Sequence, residues 1–454
     1  MSISVIILAA GEGKRMKSRL PKVMHKVASR TMVGHIIDLV KTIDAKEVVS
    51  VIGPNMDILR EHILSHGVPI KCVVQENRLG TADAVKIGMK EIRSGGDVLV
   101  LYGDTPFIAS STISRMKILL DANSKNALVV LGFNVKGPSE YGRLIVNDKN
   151  ELQAIVEYLD CDLEQREINL CNSGVMLINH KYISDLLSNV TNNNAKKEYY
   201  LTDLVEIAHS KKLICQYVAV SKEEAIAINS REELAEAEEV IQKSLREEII
   251  KKGVTLIDKN TVYFARDTKI DSDVVIYPNV FFGTNVEVKS GVTIKSFCHL
   301  EGAMIGEGST VGPFAHLRPG TALASHAKIG NFVEIKNSSI GESSKVSHLS
   351  YIGDSEVGKE VNIGAGTITC NYDGFAKHKT QIEDDVFVGS NVSLVAPVSI
   401  GAGSIIGAGS VITHDVCKDS LAVGRSKQQT YPDKALVMKK KKLKENTKKN
   451  SGVL

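Results

Sequence analysis

The chain has 454 residues, with 56 Lys and Arg against 53 Asp and Glu and a formal net charge of +3. That length predicts two or three domains rather than one core, and the near balance of charge carries no global signature of nucleic-acid binding. No apolar run is long enough to span a bilayer, and the opening MSISVIILAAGEGKRM lacks a basic n-region and a cleavage site. The seven scattered cysteines contain no CxxC pair, which points to reduced thiols and a cytoplasmic chain rather than a zinc site or a disulfide frame.

From residue 1 to 228, short apolar runs alternate with helical patterns. Ser4–Ala10, Glu47–Ile52 and Asp97–Leu101 read as fully buried strands of a parallel sheet, and 35–41 and 82–92 carry helical spacing between them. This alternation predicts an α/β layered domain. From Ser230 the text is helical. Ser230-Arg-Glu-Glu233 forms a capping box, Leu234, Ala237, Ile241, Leu245 and Ile249 share one face, and Gly253 is a stop signal. The segment 229–253 is therefore expected to connect two domains.

From about residue 262 an aliphatic or aromatic residue recurs every six positions. Ile270, Ile276, Phe282, Val288, Ile294 and Leu300 are followed, after slips of one, by Ile305 to Ile335 and by Ile340 to Ile363. The series resumes at Ile382 and runs to Ile412. A six-residue period fits a parallel β-helix, with each hexad forming one side of a coil. At three hexads per coil the run predicts roughly seven to eight coils with a filled interior, so ligands must bind outside it. The period breaks at Cys370-Asn-Tyr-Asp-Gly374. The segment 254–454 is expected to be this domain plus a tail, in which Lys439–Lys444 reads as a solvated, mobile end or an electrostatic patch.

The first strand runs into Leu8-Ala9-Ala10-Gly11-Glu12-Gly13-Lys14-Arg15-Met16. Glycines there let backbone amides approach phosphate oxygens, and Lys14 and Arg15 supply charge. A dinucleotide fingerprint would need Gly where Met16 stands. Glu12 is an acid inside this loop, and the loop works through its backbone amides if that side chain turns outward. Leu20-Pro21-Lys22, Gln75–Ala82 (QENRLGTA) and Leu101-Tyr102-Gly103-Asp104 follow. Asp104 lies at the carboxyl end of a buried strand, where open α/β sheets bind ligands, and its carboxylate suits Mg²⁺ on a triphosphate or, alternatively, a turn.

This set resembles the sugar-phosphate nucleotidyltransferases. Together with the hexads it resembles, over nearly the whole chain, the bacterial family of bifunctional N-acetylglucosamine-1-phosphate uridylyltransferases and glucosamine-1-phosphate N-acetyltransferases. The resemblance implies a Rossmann-like domain, a connecting helix, a left-handed β-helix and a homotrimer. It implies that Leu8, Ala9, Ala10, Gly11 and Lys22 hold UTP and that Gln75, Gly80 and Thr81 read the uracil. Asp104 and Asn229 would hold Mg²⁺. Gly142 and Arg143 in YGR, Glu157 in VEY and Asn172 in CNSG fall in the sugar-binding motifs. Asn229 precedes the connecting helix and could also cap it.

The resemblance extends to the second domain. His348, outside the inward position Val346, would be the base that deprotonates the sugar's 2-amino group. Arg318, Lys336, Tyr351 and Asn362 would bind the sugar phosphate. Asn371, which also shapes that pocket, would surround acetyl-CoA with Tyr372, Ser390, Ala408 and Arg425. Cys370 is discounted as a nucleophile, since direct transfer needs no acyl-enzyme. The broken repeat is expected to wall this pocket, with His348 across from it, by overhanging its own prism or by reaching a neighbouring one. The function implied is acetyl transfer from acetyl-CoA to glucosamine 1-phosphate, then uridylyl transfer from UTP to N-acetylglucosamine 1-phosphate. Two other readings are a nucleotidyltransferase whose β-helix only oligomerises and a non-enzymatic scaffold of the same folds.

Overall fold

A computed structural model describes residues 3–135, 137 and 139–450, with only the backbone of 447–450. The outermost residues of the two expected end domains, 1–2 and 451–454, lie outside the described residues. The chain divides into two compact units, 1–251 with 263–268, and 252–262 with 269–454.

The first unit begins with β1 (Ile3–Ala9), the hairpin β2 (Lys26–Val27) and β3 (Arg30–Thr31), and α1 (Met32–Thr42). Then come β4 (Glu47–Ile52), α2 (Asp57–Leu64), β5 (Ile70–Val74), α3 (Thr81–Met89), β6 (Asp97–Tyr102) and α4 (Ser110–Asp121). They are followed by β7 (Asn126–Asn134), β8 (Arg143–Val146), β9 (Leu152–Val156), α5 (Leu163–Arg166), β10 (Leu170–Ile178), α6 (Ile183–Ser188), α7 (Leu204–Ser210), β11 (Ile214–Val220) and α8 (Arg231–Lys251). The main sheet runs β11-β7-β10-β6-β1-β4-β5, with the β8–β9 hairpin attached through β10. β1, β4, β5 and β6 are parallel, while β10 is antiparallel to both neighbours. Both faces of β1 are covered. Val5 and Ile7 enter one apolar cluster, and Ile6 and Leu8 enter the other. A strand buried on both sides needs an unbroken apolar run, which is what SVIILAA supplies.

The chain leaves β1 toward β4 on one side and lies against β6 on the other. This reversal opens a crevice at the carboxyl ends of β1 and β6. Gly103 N donates to Leu8 O at 2.9 Å and so brings the Asp104 turn beside the glycine loop. The expected connector helix, α8, packs on the first unit. Ala237 is buried with Val27, Met32 and Ile228, and Leu234 and Ile241 lie against them. Its capping box is formed, with Glu233 N donating to Ser230 Oγ and Ser230 N donating to Glu233 Oε2.

The second unit is a left-handed parallel β-helix of three sheets with 10, 9 and 8 strands. The stack is longer than the expected seven to eight coils. It starts at Thr255–Leu256, ahead of the countable hexads, and ends at Leu421–Ala422. Every aliphatic and aromatic position of the hexad series is buried, from Ile270 to Ile412. A residue in the left-handed region turns most corners, usually three positions later, as at Asp273, Asn279, Asn285, Asp385 and Asn391. Asn and Asp tolerate that conformation better than most side chains, which explains their recurrence. The expected tail is ordered differently. Lys439–Lys444 falls on a helix, α9 (Lys434–Asn450), whose described side chains are exposed.

Candidate active sites

In the first unit a cavity of about 300 Å³ opens at the crevice. Leu8, Ala9, Ala10, Gly11, Lys22, Gln75, Gly80, Thr81 and Asp104 all line it, joined by Arg78, Tyr102 and Glu198. Each glycine of the loop has its own reason. A Cβ at Gly13 would sit 2.6 Å from Lys22 Cβ, so its absence lets the lysine stem approach. A Cβ at Gly11 would meet nothing within 4 Å. No packing among the described residues demands glycine there, and the position is open to the cavity. Gly80, at φ 122°, is fixed by backbone, because a Cβ would lie 2.5 Å from Tyr199 O. Gln75 is buried and its Nε2 donates to Gly80 O at 3.1 Å and Asp83 Oδ2 at 2.8 Å, leaving its carbonyl oxygen for a donor such as a base N–H. A larger cavity of about 580 Å³ beside α1 and α8 contains none of the expected site residues.

Lys22, Asp104 and Asn229 come together from three distant segments. The Lys22 ammonium donates to Asp104 Oδ2, and to Asn229 Oδ1 at 2.9 Å. Asn229 does not cap α8 with its side chain, because Ser230 does so, and its amide oxygen faces Lys22 instead. Two oxygens of hard-donor type therefore converge on one cationic point. That donor set fits a divalent cation that keeps water and phosphate oxygens as its other ligands. No cluster of three or more His, Cys, Asp or Glu suited to a metal occurs among the described residues.

Gly142, Glu157 and Asn172 gather near Tyr102. Asn172 N donates to Gly142 O at 2.8 Å, and a Cβ at Gly142 would stand 3.6 Å from Glu157 Oε2. Burial pushes the Glu157 carboxyl up, while Lys196 and the Thr202 hydroxyl oppose it. The Tyr102 phenol is also raised by burial, with the Glu157 and Asp104 carboxylates adding to it, so both carboxylates act on one ring. Arg143 departs from the expected sugar-binding motif. It is buried and its guanidinium donates to the carbonyls of Tyr141, Ser139 and Arg166. It ties the β8 entry together rather than facing the crevice.

In the second unit the expected residues divide by face and edge. Asn331 and His348 are register partners two positions past the inward Ile329 and Val346. Ser390 and Ala408 occupy the same position after Val388 and Ile406, so His348, Ser390 and Ala408 share one edge of the prism. His348 Nδ1 lies 2.6 Å from Asn331 Oδ1. With Nδ1–H donating to that oxygen, Nε2 keeps its lone pair and can accept a proton. Arg425 lies at the end of the same edge, with its Cδ 3.9 Å from where a Gly409 Cβ would stand.

Arg318, Lys336 and Tyr351 lie on the adjoining face. Arg318 Nη1 donates to Glu334 Oε1 at 2.7 Å. The Lys377 ammonium, within hydrogen-bond reach, holds the Lys336 amine below its usual pKa. Asn337 and Asn371 donate to the two oxygens of Asp354 beside this cation pair. Burial raises the Asp354 carboxyl, but those amide bonds and the Lys377 and Lys336 charges together hold the group low. Asn362 lies on the other face, paired with Lys345 and Phe387.

The interruption leaves the prism after the strand Ile368–Cys370 and returns at Thr380. It is a built turn, since Asp373 Oδ1 accepts from Phe375 N and Ala376 N, and Asp373 Oδ2 pairs with His378 Nε2 at 2.7 Å. Tyr372 is exposed and donates to Gly374 O. The loop springs from the edge beyond Lys336 and Asp354, whereas His348 stands on the opposite edge of that face. Within one chain the loop and His348 thus leave opposite edges of that face, with the strand Tyr351–Gly353 between them. Sequence reading missed Asn331 and Lys377. Only the basic spacing of Ala376-Lys-His-Lys379 hinted at the second, and no local signal marks the first.

The described residues contain no helix long and apolar enough to cross a membrane, and all seven cysteines are free. Residues 5–159 match the model of the MobA-like NTP transferase domain, and residues 379–414 that of the bacterial transferase hexapeptide with six repeats. The chain is 47% identical over 427 residues to the bifunctional protein GlmU of Paramagnetospirillum magneticum, covering 94% of each chain. It is 45% identical over 440 residues to that of Zymomonas mobilis, covering 96% of this chain and 97% of the other. It is also 45% identical over 432 residues to that of Bartonella quintana, covering 95% and 96%. Two site-bearing units of these types, with this identity over nearly their whole length, place the chain in the GlmU family of bifunctional enzymes, with uridylyl transfer on the nucleotidyltransferase unit and acetyl transfer on the β-helix.

Proposed function

We propose that residues 1–228 carry out uridylyl transfer, that 229–253 joins them to the acetyltransferase of 254–454, and that the residues described above do the chemistry. The observation that carries this reading is the convergence of Lys22, Asp104 and Asn229 on one point of the cavity bounded by Gly11. UTP would lie with its phosphates over Leu8–Gly11 and Lys22 and its uracil against Gln75, Gly80 and Thr81. The sugar would lie by Gly142, Glu157 and Asn172. A phosphate oxygen of N-acetylglucosamine 1-phosphate attacks the α-phosphorus, a new P–O bond forms, and the bond to pyrophosphate breaks. The chain positions both partners and neutralises charge, with no covalent nucleophile of its own. Mg²⁺ at Asp104 and Asn229 would supply further neutralisation of the triphosphate.

On the β-helix, His348 Nε2 accepts the proton of the sugar's 2-ammonium. The freed amine attacks the thioester carbonyl of acetyl-CoA, forming the C–N bond, and the C–S bond breaks to release CoA. Arg318, Lys336 and Tyr351 would hold the sugar phosphate with Asn362, while Asn371, Tyr372, Ser390, Ala408 and Arg425 surround the acetyl-CoA. Tyr372 or nearby amides would stabilise the oxyanion. Arg318, Lys336 and Tyr351 stand on one face, whereas Asn362 lies on the neighbouring face of the same prism, so a pocket using all four draws on two chains. Phe297, Phe314 and Phe332 stack at 4.8 and 5.1 Å along the His348 edge, and each is about half exposed. Phe375 at the loop tip is 97% exposed. These apolar surfaces support a homotrimer that completes each acetyl site between neighbours. The free thiols support a cytoplasmic enzyme, whose product feeds cell-wall and envelope polysaccharides. Assays of pyrophosphate release and of CoA release on the same preparation, with and without EDTA, test the assignment. EDTA should stop the first and spare the second, and equal loss of both would overturn it.

A further inference from the structure

Glu12 puts a carboxylate in a loop that must receive a triphosphate, and the structure shows what answers it. The Arg78 guanidinium donates through Nη1 to Glu12 Oε1 at 2.8 Å and through Nε to Ala10 O at 2.7 Å. Ala10 lies one residue past the last ladder pair, Ala9 with Ile52, so the sheet gives its carbonyl no partner. Because the peptide is planar and trans, a carbonyl held toward Arg78 turns the Gly11 N–H to the opposite side. That N–H takes no hydrogen bond among the described residues, and Gly11 lines the cavity. Gly53 provides the seat for the third nitrogen. A Cβ there would stand 2.6 Å from Arg78 Nη2 and 3.1 Å from Ala10 O. Lys14 also pairs with Glu12 at 2.8 Å, but its side chain is 86% exposed. Arg78, in contrast, joins the end of β4, the glycine loop and the segment before α3.

We propose that Arg78 is a positioning residue for uridylyl transfer: it fixes the Ala10 carbonyl so that the loop amides face the triphosphate, and it draws the Glu12 carboxylate off the phosphate path. The proposal rests on the placement of UTP over this loop. Glu12 is then a strut that fixes its clamp, and Gly53 is part of the same device.

The test is steady-state kinetics of uridylyl transfer on the full chain, with acetyl transfer assayed on each preparation as the measure of folding. Arg78→Ala should raise KM for UTP about tenfold, the scale of a lost charge-assisted bond, and change KM for the sugar phosphate far less. Arg78→Lys keeps the charge but cannot hold both acceptors at once, so it should fall between Arg78→Ala and the parent. Glu12→Gln alone should shift KM by less than about threefold, and adding it to Arg78→Ala should recover part of the loss by removing the repulsion. An unchanged KM for UTP in Arg78→Ala would overturn the proposal, as would a double variant no better than Arg78→Ala. Lys22→Ala is assayed in parallel. If it leaves uridylyl transfer intact, the placement of UTP itself fails. If it abolishes transfer while Arg78→Ala behaves as the parent, only the role of Arg78 fails.

Discussion

The two units solve the same problem, holding a sugar phosphate beside a second substrate, in opposite ways. The doubly covered sheet of the first unit splits at β1 and β6, and the split is a pocket within one chain. The prism of the second unit is filled by its own aliphatic rows and has only faces and edges to offer. Its expected site residues lie on two faces and an edge, with a loop added at another edge. An architecture with crevices can complete a site alone. A filled one can bind only on its outer surface, through projections or against a neighbour.

The strongest way to break this comparison is to remove one group from each unit. Asp104→Ala should lower uridylyl transfer by about 10³-fold and leave CoA release unchanged. His348→Ala should lower acetyl transfer by about 10²- to 10⁴-fold and leave pyrophosphate release unchanged. Either variant losing both activities would mean that the units do not work separately. Next in size is Asn331→Ala, which frees the His348 ring. Acetyl transfer should fall about tenfold, as for one lost hydrogen bond, with no effect on the first unit.

The independence of the first unit can be sharpened by where it is cut. Gln242 is buried on α8 and exchanges two hydrogen bonds with the Phe264 backbone at 2.7 and 2.9 Å. A fragment ending at 251 loses both of these bonds and keeps only the Gln242 Nε2 bond to Glu238 Oε1, at a cost of about 1–3 kcal/mol, whereas one ending at 268 keeps them. The longer fragment should unfold at higher denaturant concentration, and equal midpoints would remove this linker segment from the first unit.

The smallest expected effect is on the acid limb of stability. His66 is held at about 4 by burial and by Arg30, with His62 and Lys41 adding to this and Asp38 opposing it. An unfolded His titrates near 6.5. Between those values the unfolded chain binds a proton that the folded unit refuses, so His66 makes stability fall as pH drops from about 6.5 toward 4. Asp203, raised to about 6 by burial and by Glu206, Glu157 and Asp160, acts in the opposite sense over the lower part of that window. Thermal unfolding of His66→Gln should therefore depend less on pH between 7 and 5 than that of the parent. An unchanged slope would contradict the role of His66.

Local text carried much of this. The capping box, the buried runs and the inward rows are each decided by neighbours in sequence, and Ser230, Ile6 and Ile329 behave as their spacing predicts. The first and last coils were missed because Thr255–Leu256 and Leu421–Ala422 pair as short strands without long hexad runs. The inward turn of Arg143 is not legible in the text, because motif position says nothing of whether a guanidinium turns to carbonyls. Asn331 and Lys377 become visible only when successive coils stack, 17 residues apart for the Asn331–His348 pair. Arg78 lies 66 residues from Glu12, so the acid that looked out of place had no partner in the local text.

The contrast between a self-sufficient crevice and a shared surface comes down to whether faulty chains can repair one another. Lys336→Ala and Asn362→Ala alter residues on different faces of the prism. Unfolded together and refolded as a mixture, the two chains should recover acetyl transfer above that of either alone, because some pockets would draw an intact residue from each. A mixture of Lys22→Ala and Asp104→Ala chains should recover no uridylyl transfer, since every crevice keeps its own defect. Recovery in the second mixture, or none in the first, would contradict the account.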